Sequence, residues 1–260
     1  MFEDGKVRGL QLGGGIPAIC VPLTAAKREE LLREAEAAKK SGADLVEWRA
    51  DMYQELSLES LGEVLLQLRG VLGQMPLLFT LRTKEEGGSS FSCSRERYEE
   101  ICLGAAKTGL VDLMDVEALR LKEAAQGLVQ SISALGVAAI ASSHDFAGTR
   151  EDEVLQNRLD LLAGSGAPIV KMAVMPKAPE DVTRFMEVIK AFQQERKSKV
   201  IAMSMGELGQ ASRIQGERFG SCLTFGTVGA ASAPGQIPVG ELKKALLAVH
   251  RELTGDAHGV

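Results

Sequence analysis

From Ile16 onward, short apolar runs alternate with longer segments in which apolar residues recur at helical spacing. Runs at 17–22, 44–50, 76–82, 110–117, 137–144, 168–174, 199–205 and 222–228 have the length and near-continuous hydrophobicity of strands buried on both faces. Between them, segments near 25–40, 58–72, 95–108, 120–135, 150–163, 179–196, 208–218 and 239–253 read as amphipathic helices. In the first, Leu31, Leu32 and Ala35 sit among Glu, Lys and Arg. About eight βα units with no linker or composition break predict one α/β domain with a parallel sheet over 1–260. A doubly wound open sheet shares this alternation, but eight units in 260 residues match a closed (β/α)8 TIM barrel, which typically takes roughly 250 residues. Residues 1–15 stand apart. Val7, Leu10 and Leu12 followed by Gly13-Gly14-Gly15 predict a short strand or hairpin, with the barrel over 16–253 and a tail over 254–260. The three glycines do not form a phosphate loop, because such loops follow a strand and open a helix.

Composition narrows the function without naming it. A hydrophobic share of 45% and a charged share of 25% are those of an ordinary globular chain. The net charge of -5 argues against a nucleic-acid partner, which a basic face would signal, so any anion site must be local. Cys20, Cys93, Cys102 and Cys222 are scattered with no close pair of metal-site spacing, and are read as reduced thiols in a cytosolic protein. No secretory leader pattern opens the chain and no apolar run approaches membrane-spanning length, so the expectation is a cytoplasmic protein with no membrane partner.

In such a barrel the chemistry belongs at the C-terminal ends of the strands. The run Pro168-Ile169-Val170-Lys171-Met172-Ala173-Val174-Met175-Pro176 carries a single cation, Lys171. Burial without a partner favours the neutral amine, a nucleophile suited to Schiff-base chemistry with a carbonyl. The alternative is an edge-strand lysine that discourages aggregation. The second strand ends Glu47-Trp48-Arg49-Ala50-Asp51, with its three charges on one face; the third ends at Arg82, shortly before Glu86-Gly87-Gly88; the fourth ends in Asp115 and Glu117. Both signs recurring at the same end of successive strands argue for an interior ionic network rather than solvated decoration. The fifth strand ends at His144, next in order to the strand carrying Lys171, and a histidine titrates where a proton shuttle needs to. Met203 and Met205 at the end of the seventh strand are core or the apolar floor of a pocket. Arg213 is either a solvated helix residue or a guanidinium holding a carboxylate bidentately. The small-residue loop at 229–238, with Ser232 and Gln236, reads as a lid.

These residues together resemble the type I 3-dehydroquinate dehydratases of the shikimate pathway. The resemblance runs from about Gly9 to the last helix. It rests on Glu47-Trp48-Arg49-Ala50-Asp51, Phe79-Thr80-Leu81-Arg82 with Glu86-Gly87-Gly88, Ser143-His144-Asp145-Phe146, Lys171-Met172-Ala173-Val174-Met175-Pro176, and Phe225-Gly226 with Ser232-Ala233-Pro234-Gly235-Gln236. It implies a TIM barrel whose N-terminal hairpin covers the barrel bottom, a homodimer, and no metal or cofactor. It also implies dehydration of 3-dehydroquinate to 3-dehydroshikimate by syn elimination. By motif, Lys171 would form the imine, His144 would serve as base and then acid, and Glu86 would orient His144. Arg213 would pair with the substrate carboxylate, while Glu47, Arg49, Arg82, Ser232 and Gln236 would hold hydroxyls and close the site. Ser143 and Pro22 stand where some relatives carry other residues, which touches details of binding rather than the reaction. Two other readings stay open: a class I aldolase, which also uses a lysine imine but needs a phosphate site the sequence does not offer, and a catalytically silent barrel.

Overall fold

All eight apolar runs lie in one curled parallel sheet. The computed structural model describes residues 2, 5–88, 91–196, 198–229 and 233–255. In chain order the strands are β1 (Lys6–Val7), β2 (Leu10–Gln11), β3 (Ala18–Leu23), β4 (Leu45–Arg49), β5 (Leu77–Thr80), β6 (Leu113–Glu117), β7 (Ala138–Asp145), β8 (Ile169–Val174), β9 (Lys199–Ser204), β10 (Leu223–Thr227) and β11 (Ile237–Pro238). The helices are α1 (Arg28–Lys40), α2 (Leu58–Leu72), α3 (Arg95–Lys107), α4 (Ala118–Leu121), α5 (Ala124–Ala134), α6 (Asp152–Gly164), α7 (Pro179–Glu195), α8 (Gln210–Ile214), α9 (Gly216–Phe219) and α10 (Val239–Thr254). Sheet order is β11-β10-β3-β4-β5-β6-β7-β8-β9, every neighbour parallel.

The period of two along each strand divides the core into two layers. Ile19, Val21, Val46, Trp48, Leu77, Phe79, Val116 and Met172 face outward and pack under Leu31, Leu61, Leu65, Phe185 and Ile189 of the helices. Their alternates Ala18, Cys20, Leu45, Leu78, Leu113, Ile140, Ile169, Ile201 and Leu223 face inward and form the barrel interior. This explains why the strands read as unbroken apolar runs rather than alternating ones. The hairpin β1–β2 closes the N-terminal end of that interior. Val7 and Leu12 are buried in the inner layer, and Arg8 Nε donates to Asp112 Oδ1 at 2.5 Å, just ahead of β6.

The structure corrects the sequence expectation at the ring's last seam. Among the described residues seven neighbouring pairs of the eight-strand ring form ladders, but β9 is tied across the last seam by a single isolated bridge, Val200 with Ser221, two residues ahead of β10, so the barrel is curled and not fully closed. Side-chain hydroxyls substitute for the missing ladder. Cys222 N donates to Val200 O at 2.7 Å, and then the Ala202 and Ser204 amides donate to Ser221 Oγ (3.1 Å) and Ser212 Oγ (2.8 Å). Buried amides must find an acceptor, and serines on the flanking segments supply it. Two helices expected to be continuous are also broken. The segment at 120–135 divides at Lys122, whose φ of 52° no helix tolerates, and 208–218 is two short turns, α8 and α9. The short strand β11 and the 3-10 turns at Ala50–Met52 and Lys84–Glu86 were not legible in the pattern.

Candidate active site

The C-terminal strand ends gather into a pocket of about 150 Å3 lined by Glu47, Arg49, Arg82, Glu86, His144, Lys171, Met203, Met205, Arg213, Phe225 and Gln236, among others. Of the nine residues to which the resemblance gives roles, Ser232 lies outside the described residues and the other eight all line this pocket, whereas Asp51, Asp115 and Glu117 lie behind it. Met203 and Met205 belong to the buried inner layer and also form part of the pocket wall, so the two roles the sequence left open for them coincide.

Lys171 is not the unpartnered cation the sequence suggested. It is 4% exposed, and its Nζ donates to Asp115 Oδ2 at 3.0 Å, stands 3.9 Å from Glu47 Oε1 and lies 4.7 Å from the centre of the Phe225 ring. Asp115 is in turn fixed by Ser142 Oγ at 2.5 Å and by Arg82 Nη2 at 2.7 Å. Burial on its own would raise Asp115, but Arg82 and Lys171 hold its carboxyl far below the usual range, so it is a permanent anion.

Arg82 is the hub of the buried network. Its Nη1 reaches Glu86 Oε2 (3.3 Å), Glu117 Oε1 (3.0 Å) and Ser142 Oγ (3.3 Å), and its amide donates to Asp51 Oδ1. Glu117 is held further by the Thr83 amide and hydroxyl and by Arg120 Nε, each at 2.7 Å. Arg49 is clamped bidentately by Asp51 at 2.9 and 2.8 Å. A network this connected satisfies buried charges that would otherwise destabilise the fold, and it leaves little freedom to the groups facing the pocket.

The His144 ring contacts Glu86 Oε2 through Nδ1 at 3.0 Å, and the His144 amide donates to the same oxygen at 3.2 Å. Oε2 already accepts from that amide and from Arg82, so it serves as an acceptor and Nδ1 carries the proton. The tautomer assigned in this way leaves Nε2 with its lone pair free. Burial, with Arg82 and Lys171 nearby, holds His144 well below the ordinary histidine range, so the ring is neutral. Burial pushes Glu86 up to about 8, against the pull of Arg82, with Glu117 and Asp115 adding to the rise.

Arg213 contrasts with the other arginines. It is 1% exposed, yet its only partners are Met203 Sδ at 3.7 Å and Pro234 O at 3.2 Å, and its Nε has none among the described residues. Burial brings it down to about 10, still a cation near neutrality. A buried guanidinium without a carboxylate is a site prepared for one. The loop end at Pro234 is latched over it, since the Gly206 amide donates to Pro234 O. Gly235 permits this approach. Its φ is 77°, and a Cβ there would stand 2.1 Å from Gly206 O.

Residues 19–252 match the family model described as type I 3-dehydroquinase. The chain belongs to the type I 3-dehydroquinase family. It is 40% identical to a 3-dehydroquinate dehydratase of Bacillus licheniformis over 250 residues, 95% of this chain and 98% of that one. Among solved structures it superposes on the 3-dehydroquinate dehydratase of Geobacillus kaustophilus with a TM-score of 0.92, at 33% identity over 97% of both chains. It superposes on the type I enzyme of Clostridium difficile, solved with covalently modified comenic acid, with a TM-score of 0.91 at 36% identity over 95% of this chain and 98% of that one.

Within this 3-dehydroquinase framework, sequence reasoning missed Asp115 and Ser142 as members of the Lys171 environment. From the sequence Asp115 reads as one charge of an interior ionic network, with no link to Lys171. The missing signal was register: Ser142 pairs directly with Lys171 across β7 and β8, and Asp115 lies one strand further on.

Proposed function

We propose that this chain removes water from 3-dehydroquinate through a covalent imine on Lys171, with His144 as the proton carrier. The reaction itself is that of the family, a hydro-lyase step giving 3-dehydroshikimate. One observation above all supports the assignment of roles: a buried lysine amine, a neutral histidine with a free Nε2 and an unpaired buried arginine converge on one pocket.

In the first step the Lys171 amine, having shed a proton, adds to the ring ketone, and loss of water leaves a protonated imine. The imine withdraws electrons from the adjacent carbon. His144 Nε2 then takes a proton from that carbon, and the bonding pair moves to nitrogen as an enamine. The enamine pushes out the hydroxyl group as His144 returns the same proton to it, which releases water and requires both groups to leave on one side. Hydrolysis of the conjugated imine restores Lys171. Glu86 holds the His144 tautomer, and Arg213 pairs with the substrate carboxylate. Glu47, Arg49, Arg82, Ser232 and Gln236 hold hydroxyls and complete the closed site, excluding water from the imine. No cofactor or metal enters this scheme. The resemblance to the family also implies a homodimer working in the cytoplasm as a single barrel unit. Among the described residues no helix is long and apolar enough to cross a membrane.

The test is turnover of 3-dehydroquinate followed by the absorbance of the conjugated enone. Lys171→Ala is expected to lose turnover and any covalent adduct, whereas His144→Ala is expected to lose turnover while an adduct of the substrate's mass less one water accumulates on the protein. Turnover at the wild-type rate in either variant would refute the roles.

A further inference from the structure

Asp115 takes no part in the steps above, yet it is the carboxylate nearest the reacting nitrogen. Its Oδ2 stands 3.0 Å from Lys171 Nζ, against 3.9 Å for Glu47 Oε1. The two acids differ in attachment as well. Glu47 lines the pocket and takes a hydrogen bond from Thr80 Oγ1 at 2.8 Å. Asp115 is 1% exposed, and its other oxygen is pinned by Arg82 and Ser142, so it cannot swing away.

Charge accounting gives this placement a purpose. Condensing a lysine ammonium with a ketone yields a protonated imine and water, so one positive charge sits on nitrogen before and after, with at least one N–H to donate. A carboxylate built to hold the ammonium is therefore built to hold the imine. A buried protonated imine without an anion would shed its proton, and a neutral imine is a poor electron sink. We propose that Asp115 is the counter-ion that keeps the Lys171 imine protonated through the reaction. This rests on the imine reading above and deepens it. When the charge passes to His144 in the enamine state, Asp115 keeps its pairing with Arg82, and its field draws positive charge back to nitrogen as the hydroxyl leaves. The Phe225 ring, 4.7 Å from Nζ, favours a cation at the same atom.

The groups facing this pair are Arg82 and Glu86 from the segment after β5, Glu117 from β6 and His144 from β7. Glu47 from β4, Cys20 from β3 and Tyr98 and Cys102 from α3 also face it. His144 is held low and does not titrate in alkaline solution; Glu86 does, near 8.

The experiment is trapping of the adduct by cyanoborohydride, which reduces protonated imines, from pH 6 to pH 10, with adduct mass on Lys171 as the readout. Wild type, Asp115→Asn, Asp115→Glu and Ser142→Ala are compared, with melting temperatures recorded. In Asp115→Asn the alkaline midpoint of trapping is expected to fall by about one to three pH units, as removal of a near opposite charge predicts. Asp115→Glu, which retains the charge beside the same Glu86, restores part of the shift, and Ser142→Ala, which only loosens Asp115, shifts the midpoint less. Trapping by Asp115→Asn with the wild-type pH dependence would overturn the inference. So would a uniform loss at every pH in both Asp115 variants with lowered melting temperatures, the mark of a structural role. Absence of an adduct in the wild type at every pH would instead overturn the imine reading itself.

Discussion

Arg213 is the residue whose surroundings most nearly dictate a ligand. Every other arginine of the pocket is paired with a carboxylate, Arg49 with Asp51 and Arg82 with Asp115, Glu86 and Glu117, whereas Arg213, among the described residues, meets only a thioether and a carbonyl. Arg213→Ala is expected to raise KM for 3-dehydroquinate by about tenfold to a hundredfold, the worth of a charge-assisted hydrogen bond, with a smaller effect on kcat. Steady-state kinetics would settle this, and an unchanged KM would remove Arg213 from the substrate's carboxylate. His144 makes a prediction about pH. Its folded-state pKa is lowered, so the neutral base persists below the ordinary value of about 6.5. The acid limb of the kcat/KM profile, which reports ionisations of the free enzyme, should therefore lie well below pH 6.5, and a limb at or above that value would contradict the buried, neutral ring. His144 was legible in the sequence because it is a titratable group at the end of an apolar run, whereas Arg213, on α8 beyond the end of β9, took its role only from the family resemblance. The contact of Asp115 and Ser142 with Lys171 was not legible, because it depends on which strand residues stand opposite one another, 56 positions apart for Asp115 and Lys171.

Among the elements, β9 shows why position in the ring was easier to read than closure. Its apolar run specifies a strand, and nothing in that run reveals that its outer edge is completed by hydroxyls rather than by β10. Ser221→Ala would leave the buried Ala202 amide without its acceptor. The expected cost is about 1–3 kcal/mol of stability, read from the midpoint of urea denaturation. A midpoint equal to wild type would mean that a backbone ladder forms once the serine is gone. Ser212 links the same edge to function, since it joins β9 to α8, the turn that carries Arg213. The break at Lys122 was illegible for a different reason: a lysine gives no hint of positive φ.

Over the whole molecule, the chain sets a net negative charge against a cluster of cations at one pocket. Its net charge is -5, yet Lys171, Arg49, Arg82 and Arg213 all face one small pocket, with carboxylates placed behind them as well as among them. The place of the hairpin beneath the barrel came from the family resemblance, while the eight core strands and the charged groups gathered at their C-terminal ends followed from hydrophobic periodicity and from where charge interrupts it. The buried wiring between those charges did not, because pairing in three dimensions leaves no local mark on the sequence. The central claim is covalent chemistry at Lys171, and the most direct measurement is reduction with borohydride in the presence of 3-dehydroquinate, followed by peptide mapping. A single added mass carried by the peptide containing Lys171, together with turnover in an untreated sample, is the predicted result; turnover with no added mass, or with the mass on another lysine, would contradict it.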